Sequence, residues 1–382
     1  MHICLVYDLL YPYTIGGGER WYRSLAEALA GEGHRVTYLT LRHWPESEVV
    51  EIPGVEVVPV GPRLEFYTPG GRRRIRPALS FGWGVLRHLA RDGARYDVVH
   101  TASFPYFSLL AAALARRRHR FRIVVDWFEV WSSEYWRDYL GPVGGRIGLA
   151  VQGRCIRVPQ QAFCFSRLFE RRLREQGLRG DVTVLEGIYA GPDGTPPEPA
   201  EPVVVFAGRH IPEKQAPALV PAIARARERV PEIRGEIFGN GPARPEVLRL
   251  IAEHGLVGAV EAPGFVAEDR LRTALRRALC LALPSRREGY GLVVVEAAAL
   301  GVPTVVVRGP DNAATELVEE GENGAVADSV DPSELAAAIL RVHAAGYVLR
   351  ESTAAWYDRN ADRLSLESSL ETVLAAYARE PV

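Results

Sequence analysis

Lysine is almost absent from this chain of 382 residues. Of its 46 lysine and arginine residues, 45 are arginines, and Lys214 is the only lysine. Arginine can replace an exposed lysine at little cost, so the retained lysine indicates either a site that needs a compact point charge or a chance survivor. Lys214 follows the apolar run Val203–Phe206, in a loop that also carries Arg209. Two cations after a strand end are typical of a site for an anion such as a diphosphate.

Other signals are also missing, and each absence excludes a class of protein. The four cysteines show neither CxxC nor metal-ligand spacing, which predicts reduced core thiols in a cytoplasmic protein; they are Cys4, Cys155, Cys164 and Cys280. No apolar run reaches the roughly 18 residues of a membrane-spanning helix, and the N-terminal sequence lacks the features of a signal peptide. The net charge of -1 argues against a general nucleic-acid-binding protein.

Apolar strand-like runs alternate with helical patterns, which predicts an α/β protein with parallel sheets. In the N-terminal half we expect strands near 3–7, 35–41, 55–60, 97–100, 123–126, 162–165 and 182–186, and helices near 18–31, 79–92, 104–118 and 166–176. In the C-terminal half we expect strands near 203–207, 234–238, 260–262, 279–283, 303–307 and 323–326, and helices near 216–229, 243–254, 267–276, 291–300, 312–319, 331–343, 350–360 and 365–379.

The chain is long enough for two domains. A Pro/Gly-rich linker at 191–202 separates an N-terminal domain at 1–190 from a C-terminal domain at 203–360. A final helical segment at 361–382 is expected to cross back to the N-terminal domain. Doubly wound domains bind ligands at the carboxyl ends of their strands, so we expect a cleft between the two domains.

The strongest local motif begins where a predicted strand ends near Pro284. A loop with Glu288 and two glycines follows, and a predicted helix then carries Glu296. Glycines let the backbone approach a ligand closely, and a helix start favours an anion. Two carboxylates about 10–12 Å apart, with an anion site between them, suit a nucleotide sugar. The alternative is a loop with two solvated glutamates, but Glu296 interrupts the otherwise apolar stretch 292–300.

The segment from Glu288 to Glu296 resembles the E-x7-E signature of the retaining glycosyltransferase family 4, which has the GT-B fold. Other segments resemble this family in the family's own order: a glycine loop, a helix–strand junction, a diphosphate anchor, a glycine turn, a base-reading loop and a late helix. These are Gly16–Glu19, Ala28–Val36, Gly208–Lys214, Phe238–Pro242, Gly264–Val266 and Asn312–Val318. The resemblance covers the C-terminal half closely and the N-terminal half loosely.

This resemblance implies a role for each matching residue. Glu288 would hold the donor hexose, Arg209 and Lys214 would neutralise the leaving diphosphate, and Glu296 would bind the ribose. The other donor-binding residues would be Gly17, Gly18, Gly239, Gly241, Phe265, Val266, Gly289, Tyr290, Gly291 and Leu292. No Asp-x-Asp occurs in the chain, so we expect no metal and no cofactor other than the donor substrate.

The N-terminal half departs from the family pattern. Many family members have His-x-His after the strand that contains His100, but the second histidine position is Ala102 here. His100 is therefore either a catalytic residue or a strand-end core residue. The candidate acceptor residues Asp126, Glu129, Trp131 and Glu134 could orient a hydroxyl or line a sugar cleft, or they could serve as caps, arginine partners and core.

Two arginine clusters remain. Arg116–Arg120 ends a predicted helix, where cations are favoured. Arg72–Arg76 precedes a moderately amphipathic stretch and is a candidate contact with an anionic membrane or with a phosphorylated lipid acceptor. A membrane contact would place the cytoplasmic protein at the inner face of the membrane.

Together these observations predict a GT-B enzyme with two doubly wound Rossmann-like domains facing a central cleft. It would transfer a hexose, with retention, from a nucleotide diphosphate sugar to a hydroxyl acceptor such as a glycan, a glycolipid or a small-molecule glycoside. The alternatives are a GT-B nucleotide-sugar epimerase or hydrolase, and a non-catalytic binding protein.

Overall fold

The computed structural model describes residues 1–45, 47–192 and 194–378, which form two compact units. The first unit comprises Met1–Thr68, Arg72–Ile188 and the segment from Leu366 onward, and the second comprises Pro69–Gly71 and Tyr189–Ser365. The division near 189 lies beside the predicted domain boundary, and the predicted linker residues group with the second unit.

The first unit is built on a seven-stranded parallel sheet in the order β3-β2-β1-β4-β5-β6-β7. Its strands are β1 His2–Val6, β2 Arg35–Leu41, β3 Val55–Gly61, β4 Val98–Ala102, β5 Arg122–Trp127, β6 Gln161–Cys164 and β7 Val182–Val184. The central strands β1 and β4 are completely buried. Parallel sheets are covered on both faces, which explains the continuous apolar runs in the sequence.

Five helices connect these strands: α1 Gly17–Gly31, α2 Ile75–Asp92, α3 Tyr106–Ala115, α4 Ser133–Ile156 and α5 Arg167–Glu175. The sequence predicted all of them except α4. This helix contains several glycines and Pro142, has a break in helical geometry at Gly141, and lacks an amphipathic period. The glycines serve packing, because a Cβ at Gly148 would overlap the Trp136 ring.

The second unit contains a six-stranded parallel sheet in the order β10-β9-β8-β11-β13-β15, and a separate two-stranded sheet β12-β14. The strands are β8 Val203–Ala207, β9 Arg234–Phe238, β10 Val260–Gly264, β11 Cys280–Leu283, β12 Arg287–Glu288, β13 Thr304–Val307, β14 Asp311–Asn312 and β15 Gly324–Ala327. The sequence predicted the six long strands but missed β12 and β14. The prediction of an α/β protein with two parallel-sheet Rossmann-like units is confirmed.

The helices of the second unit are α6 Leu219–Arg227, α7 Arg244–Glu253, α8 Glu268–Arg277, α9 Leu292–Ala298 and α10 Pro332–Leu364, and the first unit adds α11 Leu366–Ala378. α10 joins two segments that were predicted separately, with a kink at Gly346 where φ is 60°. The helix predicted at 312–319 is a short 3-10 helix, Ala313–Leu317.

The four cysteines are buried free thiols, as the sequence predicted. None of the helices in the described part of the chain is long and apolar enough to cross a membrane.

Candidate functional site

Two predicted site residues from separate loops meet at the carboxyl edge of the second sheet. Lys214 ends a single 3-10 turn that follows β8, and Glu288 lies just beyond the end of β11. The Lys214 Nζ atom lies 2.5 Å from Glu288 Oε1, and the two side chains are 20% and 10% exposed. The only lysine of the chain therefore neutralises the first glutamate of the motif, and both groups keep some access to solvent.

Two residues that the sequence analysis missed hold Glu288 in place. The Ser285 hydroxyl, which is completely buried, donates a hydrogen bond to Glu288 Oε1 at 2.9 Å. Asn312 pairs with Glu288 across the β12-β14 sheet, and its amide donates to the carbonyls of Ser285 at 3.0 Å and Val307 at 2.8 Å. Ser285 and Lys214 both contact Oε1. Among the described residues no donor contacts Oε2, so this oxygen can accept a ligand hydroxyl.

Glu296 lies half-buried on α9, which begins directly after Gly291. Gly291 has a φ of 100°, and a Cβ there would lie 2.7 Å from the Ala314 side chain, so this turn needs glycine. The predicted ten-residue helix has only seven residues in the structure.

The loops after β8, β9 and β10 converge at the same edge of the sheet. Gly208 N–H donates to the Phe238 carbonyl at 3.2 Å, and Gly239 N–H donates to the Gly264 carbonyl at 2.8 Å. A Cβ at Gly239 would overlap the Gly208 carbonyl, so the close approach of these loops depends on glycine. The predicted diphosphate anchor, glycine turn and base-reading loop are thus neighbours.

Side chains around these loops differ in exposure. Arg209 is exposed and Phe265 is 69% exposed, whereas Val266 is half-buried. His210, which the sequence analysis missed, is completely buried, and this burial lowers its pKa. Arg209 thus stands at the surface, beside a histidine that stays neutral near pH 7.

In the first unit, the glycine loop lies at the start of α1. A Cβ at Gly18 would come within 2.6 Å of the Tyr7 hydroxyl, whereas a Cβ at Gly17 would meet nothing within 4 Å. Gly18 therefore permits close packing, and Gly17 faces open space. Glu19, the next residue, is buried.

His100 and Asp126 lie together in the core of the first unit. His100 Nε2 is 2.9 Å from Asp126 Oδ1, and both side chains are 0% exposed. Trp21 Nε1 donates to Asp126 Oδ2 at 2.7 Å, and the Tyr377 hydroxyl lies 2.5 Å from His100 Nδ1. This arrangement favours the core interpretation of His100, and it leaves Asp126 no surface for an acceptor.

The predicted acceptor cluster is also largely core. Trp131 is 9% exposed, and its indole N–H donates to Glu129 Oε2 at 2.7 Å. The buried amide of Gln152 accepts from Trp136 Nε1 at 3.1 Å and donates to the Trp131 carbonyl at 2.9 Å. Glu129 is half-buried and Glu134 is exposed in the first turn of α4, so these two carboxylates are the accessible members.

Each of the two units matches a known protein family. Residues 16–186 match the model of the glycosyl transferase 4-like domain, and residues 201–345 match the model of the glycosyl transferases group 1. The chain belongs to the family 4-like glycosyltransferases with the GT-B fold. The second match covers the region that holds Lys214, Glu288 and Glu296.

Similar curated proteins are matched over part of their length. Alpha-D-kanosaminyltransferase of Streptomyces kanamyceticus is 30% identical over 141 residues, which are 37% of this chain and 36% of that protein. A D-inositol 3-phosphate glycosyltransferase of Nocardioides sp. is 32% identical over 192 residues, 46% of this chain and 41% of that protein. The chain thus spans about two fifths of the length of these relatives.

Solved structures match the fold over nearly the whole chain. Sucrose-phosphate synthase from Thermosynechococcus elongatus has a TM-score of 0.79 at 21% identity, with 98% of each chain covered. Anabaena HepE in complex with UDP and glucose has a TM-score of 0.71 at 19% identity, with 99% of each chain covered. At these identities the likeness shows the fold alone.

Proposed function

We propose that this protein is a retaining, metal-independent hexosyltransferase that uses a nucleotide diphosphate sugar and a hydroxyl acceptor. The observation that carries this proposal is the contact of Lys214 with Glu288 at the carboxyl edge of the second sheet. It joins a point charge suited to a diphosphate with a carboxylate suited to sugar hydroxyls. Membership in the glycosyltransferase family supports the same activity.

The leaving group determines what Lys214 must do. As the bond between sugar and diphosphate breaks, negative charge accumulates on the diphosphate, and preorganised cations stabilise it. Lys214 has three donors, so its ammonium can turn towards an incoming phosphate while it stays near Glu288. Arg209, at the surface of the same loop, adds a second charge. In this proposal these two side chains supply the electrostatic stabilisation that other enzymes obtain from a metal ion.

The hexose would lie against Glu288. Ser285 and Lys214 fix Oε1, and Oε2 would accept a sugar hydroxyl. Backbone N–H groups of 289–292 would contact the sugar and phosphates, and Glu296 would bind the ribose diol. The loops with Gly239, Gly241, Phe265 and Val266 would hold the base.

The acceptor would be bound by the first unit, through residues that keep exposed surface. Glu129 and Glu134 are the candidates. The names of the relatives include glycosyltransferases that act on D-inositol 3-phosphate and transfer kanosamine. Because HepE was solved with UDP and glucose, UDP-glucose is the first donor to test.

The test begins with thermal shifts against UDP, GDP, ADP and TDP, followed by the sugars of the preferred nucleotide. The chosen donor is then incubated with polyol and glycoside acceptors in EDTA, and the anomeric proton of the product is followed by NMR. We expect a product with the donor's anomeric configuration. An inverted product, or activity that is lost in EDTA and restored by a divalent cation, would contradict the proposal.

The same samples test the alternative functions. An epimerase would convert the donor into a different nucleotide sugar, and a hydrolase would release free hexose at a rate that no acceptor increases. A binding protein would show a thermal shift with the donor but no turnover.

A further inference from the structure

The first unit carries an apolar groove that the donor site does not use. It lies between α2 and the end of α3, has a volume of about 730 Å³, and is lined by Trp83, Leu86, Arg87, Ala90, Arg91, Leu114, Ala115, Arg117 and Arg118. On α2 the glycines on either side of Trp83 pack inward. A Cβ at Gly82 would overlap Phe107, and a Cβ at Gly84 would overlap the Val60 carbonyl. α2 is thus fixed against its neighbours, and Trp83 projects outward.

Trp83 is unusual among the seven tryptophans, all of which lie in the described part of the chain. Its side chain is 68% exposed, whereas the other six are between 0% and 9% exposed. Ile75 and Leu79 precede it on α2 at intervals of four residues and are 63% and 49% exposed. Positions four apart share one helix face, so α2 presents a continuous apolar stripe to solvent.

The charge around this stripe is mainly positive. Between Ile75 and Arg120 the chain has eight arginines and only two acidic residues, although its net charge is -1. Arg87, Arg117 and Arg118 line the groove, are exposed, and have no ion-pair partner among the described residues. The cluster predicted to contact a membrane offers less free charge, because Arg73 turns inward to Asp8 at 2.6 Å.

We propose that the α2-α3 groove and the stripe Ile75–Trp83 form a docking surface for an anionic phospholipid bilayer. Tryptophan suits the interface between headgroups and acyl chains because its ring is apolar and its N–H is polar. Leu79 and Ile75 enter the same layer, and the arginines bind the lipid phosphates through paired N–H groups. A soluble polyanion would satisfy the arginines but not the apolar stripe, and this difference favours a bilayer.

Vesicle sedimentation tests the surface. The full chain should sediment with phosphatidylcholine vesicles that contain about a quarter phosphatidylglycerol, and much less with pure phosphatidylcholine. Raising the salt from about 0.1 M to about 0.5 M should release it, because screening weakens surface electrostatics. Equal binding to both vesicle types, or no binding to either, would overturn the proposal.

A matched pair of variants localises the contact. Arg87→Glu combined with Arg117→Glu should reduce binding at least tenfold. Arg171→Glu combined with Arg179→Glu makes the same change in net charge at exposed positions of the same unit and should retain most of the binding. If the two double variants bind equally, with native circular dichroism, the groove is not the docking surface.

Trp83 also provides a direct optical readout. Because the other tryptophans are buried, anionic vesicles should shift the emission to shorter wavelength through Trp83. Trp83→Phe should abolish most of that shift while it keeps measurable sedimentation. If the shift persists in Trp83→Phe, the membrane contact lies elsewhere. The same conclusion follows if the native protein binds vesicles and its emission does not shift.

Discussion

Each unit contains a contact between a basic and an acidic side chain that the sequence had marked as functional, and the two contacts differ in burial. Lys214 and Glu288 of the second unit are 20% and 10% exposed, whereas His100 and Asp126 of the first unit are 0% exposed. Lys214 ends a 3-10 turn beyond the end of β8, and Glu288 lies in the two-residue strand β12 beyond the end of β11. His100 and Asp126 lie within β4 and β5.

This difference follows from the structure of a parallel sheet. Helices cover both faces of such a sheet, so a side chain within a central strand is sealed, while a side chain just past the strand end can reach a ligand. The sequence predicted that the strand of His100 ends at residue 100, but β4 continues to Ala102. Because the strand is two residues longer than predicted, His100 lies inside it and is a core residue, whereas a histidine at the strand end could have reached a ligand.

The largest expected effect concerns stability and the buried contact. Asp126→Ala removes the acceptor of the Trp21 indole and the neighbour of His100, so it should lower the free energy of unfolding by roughly 3–5 kcal/mol. The turnover of the folded protein should change little. Urea unfolding and kcat check this, with Glu175→Ala, at an exposed position of the same unit, as a control that should cost less than about 1 kcal/mol. Native stability combined with lost turnover would make Asp126 a functional residue.

A substitution in the solvent-accessible contact between Lys214 and Glu288 should lower turnover and leave stability nearly unchanged. Lys214→Ala should lower turnover by on the order of 10²–10³, because it removes a charge that stabilises the leaving diphosphate, and should change stability little. Lys214→Arg should also be impaired, since a planar fork cannot replace a point charge at 2.5 Å from Glu288. Arg229→Ala, at an exposed position, is the control for loss of one positive charge. Near-normal kcat in Lys214→Arg would make the single lysine a compositional accident.

The two glutamates should separate by kinetic parameter. Glu288→Gln should lower kcat by roughly 10²-fold through misplacement of the hexose. It should not weaken binding of the free nucleotide diphosphate, because Lys214 is no longer neutralised. Glu296→Gln should mainly raise the donor KM and weaken free nucleotide binding by about tenfold, as expected for a lost hydrogen bond to a charged group.

Calorimetry with the nucleotide diphosphate alone decides between the roles of the glutamates. If Glu288→Gln loses this affinity while Glu296→Gln keeps it, the donor is bound in the reverse direction.

Acid should destabilise the first unit more than the second. Burial is the main cause that lowers the pKa of His2, His43 and His88 in the first unit and of His210 in the second. These histidines stay neutral in the folded protein, whereas the unfolded chain binds protons below about pH 6.5. Folding stability is therefore lost as the pH falls from about 6.5 towards the folded-state pKa values, by at most about 1.4 kcal/mol per histidine and pH unit.

Tryptophan fluorescence can distinguish the two units during this titration. Six of the seven tryptophans belong to the first unit, and Trp356 belongs to the second. Between pH 7 and pH 5, the unfolding midpoint seen by fluorescence, which reports mainly on the first unit, should fall further than the midpoint seen by far-UV circular dichroism, which reports on both units. Equal shifts would show that other groups dominate the acid response.

The smallest expected effect tests whether Ser285 positions the Glu288 carboxylate. Ser285→Ala removes the hydrogen bond to Oε1, worth about 1 kcal/mol, so kcat should fall roughly fivefold while the donor KM stays nearly unchanged. Ser285→Thr keeps the hydroxyl and should restore part of the loss. If Ser285→Ala changes only the thermal midpoint, the serine supports the loop without positioning the carboxylate.

Periodic segments were predictable, and irregular ones were not. The long strands of both sheets follow from apolar runs that are buried on both faces. The helix α4 was missed because its glycines interrupt the helical pattern, although they fit the tight packing around Trp136. The strands β12 and β14 have two residues each, and such short pairs leave no periodic signal.

Sequence alone determined which residue types are present and in what order: one lysine after a strand, two glutamates eight residues apart, and glycines at the turns. These features are local, so adjacent residues are enough to recognise them. Only the tertiary structure decided which side chains meet and which stay accessible. Asn312 gains its role from a partner 27 residues away, and His100 and Asp126 lose access because Tyr377 of α11 and Trp21 of α1 contact them. Burial depends on the packing of the whole unit, and no local pattern encodes it.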